Sequence, residues 1–267
     1  MLFRHRFVVT LALLAAAAGV ATAQGGYFGV KRPGPESFNG AFTFCRLAVQ
    51  AARDGDGGSW AADYPRADEN LSLRLSELTK TQVNFDGEGG PASVVIRASD
   101  PALFDCPFVA LTNPGRAFLP EDEVSALRTF LQKGGFLWSD DFWGTRAWEH
   151  WERELRKVLP AHAYPLVDLD VTHPMFRTVF PVKAIPQIPN IGFYQDTGWT
   201  SERGSDSRDA RAAAILDSEG RVMVLITHNT DFGDAYEREA EDPEFFHRFS
   251  VDGYAIGIDV LVYAMTH

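Results

Sequence analysis

The chain of 267 residues carries 36 acidic against 25 basic side chains, a formal charge of −11. That balance argues against nucleic acid or an anionic membrane surface as the main partner, because both are held by clustered Lys and Arg. With 45% hydrophobic residues the chain can bury a sizeable core, and at this length one large domain is the default.

The N-terminus reads as an export signal: basic Arg4 and Arg6, an apolar run over residues 7–20, then Ala21, Thr22 and Ala23 as a small-residue cleavage site before Gln24. The expectation is an exported protein, periplasmic or secreted, with an uncleaved anchor as the alternative. Loss of residues 1–23 removes Arg4 and Arg6 and takes the charge from −11 to −13. No later segment reads as long and apolar enough to cross a membrane. Residues 24–40, rich in Gly and Pro and without periodicity, are expected to form a flexible leader, and residues 41–267 a single α/β domain.

"AFTFCRLAV", from Ala41, alternates and carries aromatic and β-branched residues, which predicts the first strand. "DGDGG" at residues 54–58 is a loop; its two aspartates resemble part of a calcium loop that lacks the remaining ligands. Leu71, Leu75 and Leu78 then mark one face of a helix with Asp68 at its start. "ASVVIRAS" and "PFVALTN" are short apolar strands, and "LPEDEVSALRTFLQKGG" is a helix with acids in its first turn and Gly134 as its stop. "FLWSDD" reads as a further buried strand, followed by a helix with Trp148, Trp151, Leu155 and Val158 on one face. Residues 161–211 predict long loops with short elements; "RAAAILDSEGRVMVLITHN" predicts two strands joined by a turn; the last apolar segment predicts a helix packed against the sheet. Strands alternating with helices give the expected fold class, α/β with a doubly wound, mainly parallel sheet covered on both faces. Cys45 and Cys106 could pair in an oxidising compartment, and each also suits a free buried cysteine.

Ligands of open α/β sheets bind beyond the carboxyl ends of the strands, at a switch in strand order. The residues that follow the predicted strands are Asp100; Thr112 and Asn113; Asp140 and Asp141; and His228, Asn229 and Asp231, with Trp143 and Tyr64 as nearby aromatic surface. The same residue types cap helices and hold turns. Adjacent carboxylates repel and need a cation, donors or water to stay charged together, so Asp140 and Asp141 are the centre of the expected site.

Several spaced motifs resemble the bacterial domain of unknown function 4159 family: "RL" at Arg46, "DYPRADENL" from Asp63, "DPALFDCPFVALT" from Asp100, "LRTFLQKGGFLWSDD" from Leu127, "HPMF" from His173 and "YAMT" near the C-terminus. The resemblance implies a flavodoxin-like fold similar to class I glutamine amidotransferases, in exported or envelope-associated proteins, and no established activity. It adds Asp63, Tyr64, Asp68 and His173 to the candidate positions. The cysteine of catalytic amidotransferases has no counterpart in the turn after "FLW", which reads Ser139, Asp140, Asp141, so a glutaminase is not expected.

Three functions are weighed. The first is noncatalytic binding of a small polar ligand, for example a glycan against Trp143 and Trp138, or of an envelope protein. The alternative is a hydrolase with Asp140, Asp141 and Asp231 around a divalent cation, magnesium or calcium rather than zinc, or with His228 or His173 as general base. In the third the acids only cap helices and residues 181–211 fill the crevice. No cofactor is expected beyond that cation, and no G-x-G-x-x-G or phosphate loop occurs.

Overall fold

Five strands that are almost wholly buried and mainly apolar run parallel, and this dictates the layered fold. In chain order the strands are β1 (Phe44–Leu47), β2 (Gln50–Ala51), β3 (Ser93–Ile96), β4 (Phe108–Thr112), β5 (Ala117–Phe118), β6 (Phe136–Asp140), β7 (Leu166–Asp168), β8 (Arg211–Leu216) and β9 (Val222–His228). The computed structural model describes residues 29–267, of which Arg32–His267 form one compact unit. The predicted signal peptide, residues 1–23, lies outside the described residues.

Seven strands form one sheet in the order β3-β1-β4-β6-β9-β8-β7, and β2 pairs with β5 separately. β3, β1, β4, β6 and β9 are parallel, while β8 runs antiparallel to β9 and β7 antiparallel to β8. Counted in chain order, the parallel strands lie 2-1-3-4-5, so the strand order reverses between β1 and β4.

The helices are α1 (Arg66–Leu78), α2 (Glu121–Gln132), α3 (Gly144–Val158), α4 (Ile191–Thr197), α5 (Phe232–Glu237) and α6 (Val251–Thr266). Leu71 and Leu75 of α1, Phe232 of α5 and Ile256 of α6 cover one face of the sheet with Phe44, Phe136 and Trp138. Leu127 of α2 and Trp151 and Leu155 of α3 cover the other with Leu47, Val109 and Leu137. Strand alternation therefore sends Phe136 and Trp138 of β6 to the first face and Leu137 to the second.

Four expectations are corrected. Asp68 does not cap α1: the helix begins at Arg66 and Asp68 is fully buried within it. Leu78, expected on the apolar face, is 51% exposed, because the helix ends there beyond the sheet. The predicted leader is part of the fold over Glu36 and Ser37, whose carbonyls accept from Asn84 Nδ2. Finally, the helical stretch Pro243–Thr266, 24 residues, contains an 18-residue window of mean hydropathy 1.2 and is by length and composition able to cross a membrane, although 67% of that window is buried within the domain. Cys45 and Cys106 form a disulfide in the second core layer, joining β1 to the segment before β4.

Candidate functional site

Parallel strands end together, so the loops after β1, β4, β6 and β9 share one edge of the sheet. Asp63, Asn113, Asp141 and Asn229 are the non-glycine residues with positive φ among the described residues, at 62°, 53°, 56° and 60°, and all four belong to these loops. Asp and Asn tolerate this conformation best because their short polar side chains bond locally, and backbone of this kind concentrates at functional sites.

Arg46 of β1 organises the edge from below. Its guanidinium is buried and donates to Asp68 of α1 from Nε (3.1 and 3.0 Å) and from Nη2. Nη1 donates to Thr112 Oγ1 (2.7 Å) across the switch between β1 and β4, and to the carbonyls of Trp60 and Ala62 (3.1 and 3.0 Å). The loop that carries Asp63 is thus fixed to the sheet, and the ring of Tyr64 lies 6.0 Å from the guanidinium carbon.

Above this arginine the carboxylates converge. Asp140 Oδ1 accepts from Thr227 Oγ1 (2.5 Å), and Oδ2 from the amide of Phe232 (2.8 Å) at the start of α5. Asp141 is held by Asn113, whose Nδ2 donates to its Oδ2 and whose own Oδ1 accepts from the Gly58 amide (2.7 Å). Asp231 accepts from the Asp234 amide (2.9 Å), and Asp234 from the Ile191 amide (2.5 Å). Asp63, Asp231 and Asp234 each bring a carboxylate oxygen within 4.8 Å of the other two.

Burial penalises the charged form of every one of these groups. It pushes Asp140 up to about 7 against the hydrogen bonds from Thr227 and Phe232. Burial and then Asp234 push Asp63 up to about 7; burial raises Asp234 to about 6. Asp141 and Asp231 stand well above the ordinary range, first through burial and then through their acidic neighbours, Asp63 for Asp141 and Asp141 for Asp231. Arg46 is the cation that opposes the rise at Asp63, and it is already matched by Asp68. A cavity of about 30 Å³, lined by Arg46, Asp68, Thr112, Asp140, Gly233 and Tyr236 among others, lies beneath the cluster and has room for one water.

Other candidates stand elsewhere. His228 points to the opposite face of β9 from Thr227, its ring between Phe142 (4.7 Å) and Trp148 (5.0 Å) and its Nε2 3.0 Å from the Gly144 carbonyl oxygen. Burial lowers it to about 4, which leaves a neutral ring. Asn229 locks the same junction, accepting from the Gly144 amide (2.9 Å) and donating to the Asp209 carbonyl (3.0 Å). His173 caps the turn Pro174–Arg177 and packs on Tyr263, whose hydroxyl accepts from the amide of Val222 at the start of β9. It therefore belongs to the far end of the sheet. Asp100 begins the turn Pro101–Asp105 after β3 and takes part in no bond of the cluster. Trp143 and Trp138 are buried, and Trp138, whose indole donates to Thr227, lines the small cavity rather than an open surface.

Asp234 is the member that sequence reasoning overlooked; Arg46 and Asp68 were named as motif positions, but their pairing was not foreseen. The motif positions Arg46 and Asp68 carried a signal for the pair, whereas Asp234 lies inside a short helix that has no marked periodicity. Both cysteines are disulfide-bonded, so neither sulfur is a thiolate nucleophile. No curated protein matches the chain. Residues 43–265, nearly the whole of the described unit, match the family described as a domain of unknown function (DUF4159), and the chain belongs to that family.

Proposed function

We propose that the chain is an exported, envelope-associated domain of flavodoxin-like architecture that binds a small polar ligand, without turning it over, in the acidic crevice at the carboxyl edge of its sheet. The 2-1-3-4-5 order of the parallel strands supports the flavodoxin-like reading. The disulfide supports export, since such bonds persist in oxidising compartments.

One observation carries the binding function. Five aspartates, Asp63, Asp140, Asp141, Asp231 and Asp234, gather at the strand-order switch, where burial raises the proton affinity of each and aspartate neighbours raise that of Asp63, Asp141 and Asp231 further, while Arg46 beside them is neutralised by Asp68. Buried like charges persist only where something compensates them. The ligand therefore carries positive charge or hydrogen-bond donors. A glycan held by aromatic stacking fits less well, because Trp138 and Trp143 are enclosed. For hydrolysis, the histidines named as general bases stand away from the carboxylates.

Thermal unfolding of residues 24–267 against amino sugars, polyamines and divalent chlorides tests the reading, with wild type beside Asp141→Asn. A ligand at about a hundredfold its Kd stabilises by about 2.7 kcal/mol, a rise of roughly 5–10 °C for a domain of this size. The expected result is such a rise in wild type and a smaller one in the variant. A panel that leaves wild type unmoved would sink the reading.

A further inference from the structure

We propose that Asp63, Asp231 and Asp234 form a binding site for one hard divalent cation. The inference rests on the reading of the carboxyl edge as a binding site and names the occupant of one part of it.

The donors come from two distant segments, the loop before α1 and the first turns of α5, and their three oxygens lie within 4.8 Å of one another. Oxygens bound to calcium at 2.3–2.6 Å stand at most about 4.6–5.2 Å apart across the ion, so the spacing of the trio falls in the range of oxygens that share one such ion. Asp231 and Asp234 are almost fully buried, and one oxygen of each is fixed by an amide, that of Asp234 and that of Ile191. Such bonds orient metal ligands from the outer shell.

Asp63 supplies the independent observation. Its Oδ2 is buried and has no hydrogen-bond partner, a state that costs free energy unless something occupies the position. The surroundings are built to hold it there: Asp63 has φ 62°, Arg46 ties the carbonyls of Trp60 and Ala62 just before it, and a Cβ on Gly233 would stand 2.1 Å from Asp63 Oδ2. Only glycine at 233 lets this oxygen approach the start of α5. Carboxylates with no imidazole or thiolate among them select calcium, magnesium or manganese over zinc.

The test is calorimetric titration of residues 24–267, stripped with EDTA and exchanged, with CaCl2, MgCl2, MnCl2 and ZnCl2, for wild type and Asp63→Asn. Wild type is expected to bind one equivalent of a hard cation and to gain thermal stability with it. Asp63→Asn is expected to bind it roughly tenfold or more weakly while unfolding no earlier than wild type without metal, since Asp63 Oδ2 has no hydrogen bond to lose and Arg46 keeps its partner Asp68. Equal affinity in the two proteins, or a preference for zinc, would overturn the site. If no divalent ion binds wild type at about 10 mM while a polyamine or amino sugar still stabilises it, the metal site fails and the ligand-binding reading stands. If nothing stabilises it, both fail. Should the variant not fold, the wild-type titration alone decides.

Discussion

Burial of a carboxyl reverses the usual direction in which pH acts on stability, and Asp140 is where this is measurable. Its group titrates at about 7 in the fold against a reference near 4 in the unfolded chain. Between those values the native state holds a proton that the unfolded chain has released, so stability falls as pH rises from about 4 to about 7. Asp63 and Asp234, raised to about 7 and about 6, act in the same direction. Asp206 and Asp242 act oppositely: bonds from Thr145 and from the Phe245 amide hold them low, so their contribution disappears only below about pH 4. The metal-free protein is therefore expected to melt at progressively lower temperature between pH 5 and 7, and Asp140→Asn, which cannot ionise, to show a shallower slope. A wild-type melting temperature that climbs over this range would refute the assignment. Arg46 gives a second residue-scale prediction. Asp68 is completely enclosed, and removal of its partner leaves an uncompensated buried charge, so Arg46→Ala should cost about 3–5 kcal/mol in denaturant unfolding. The Arg46→Ala, Asp68→Ala double variant should lose clearly less than the sum of the two single changes.

Among the elements, β6 and α5 set the geometry of the edge. Asp140 at the end of β6 accepts from the first amide of α5, and Gly233 in the next position lets Asp63 pack against that turn. Gly233→Ala is expected to destabilise by about 1–3 kcal/mol, the usual cost of overpacking, and Asp63→Ala in the same chain to restore most of it; a fully stable Gly233→Ala would mean that Asp63 is not so placed. This junction also separates what the sequence discloses from what it hides. Apolar strands ending in polar residues were readable for β4, β6 and β9, because the strand period and the parallel-sheet rule act locally, and this brought Thr112, Asn113, Asp140, Asp141 and Asp231 to one edge. The face on which a residue emerges was not readable. Thr227 and His228 are neighbours, yet alternation sends one to Asp140 and the other between Phe142 and Trp148. His173 escaped because the path of residues 161–211 is set by long-range packing on Tyr263. Asp63 and Asp234 meet through contacts of the loop fixed by Arg46, which no local pattern encodes.

The whole molecule depends on a link across its switch point. Cys45 of β1 and Cys106, before β4, are separated by 61 residues in sequence, and the segment they enclose contains Asp63, α1 and β3. A hydrophobic core of two layers already fixes both strands, so in the folded state the bond constrains little that packing does not. Its main action is on the unfolded chain, where closing a loop of this size removes conformational freedom worth about 4 kcal/mol. In a domain of this length each kcal/mol moves the melting temperature by roughly 2–4 °C, which makes the expected loss for Cys45→Ala, Cys106→Ala roughly 8–16 °C. The cysteines are buried at 0% and 2% exposure, so a reductant added to the folded protein should act slowly, at the rate of opening, and then lower the melting temperature by a similar amount. A double variant that melts within about 2 °C of wild type would place the ordering of β1 and α1 in side-chain packing alone, and would predict that the carboxylate edge assembles equally well in a reducing compartment.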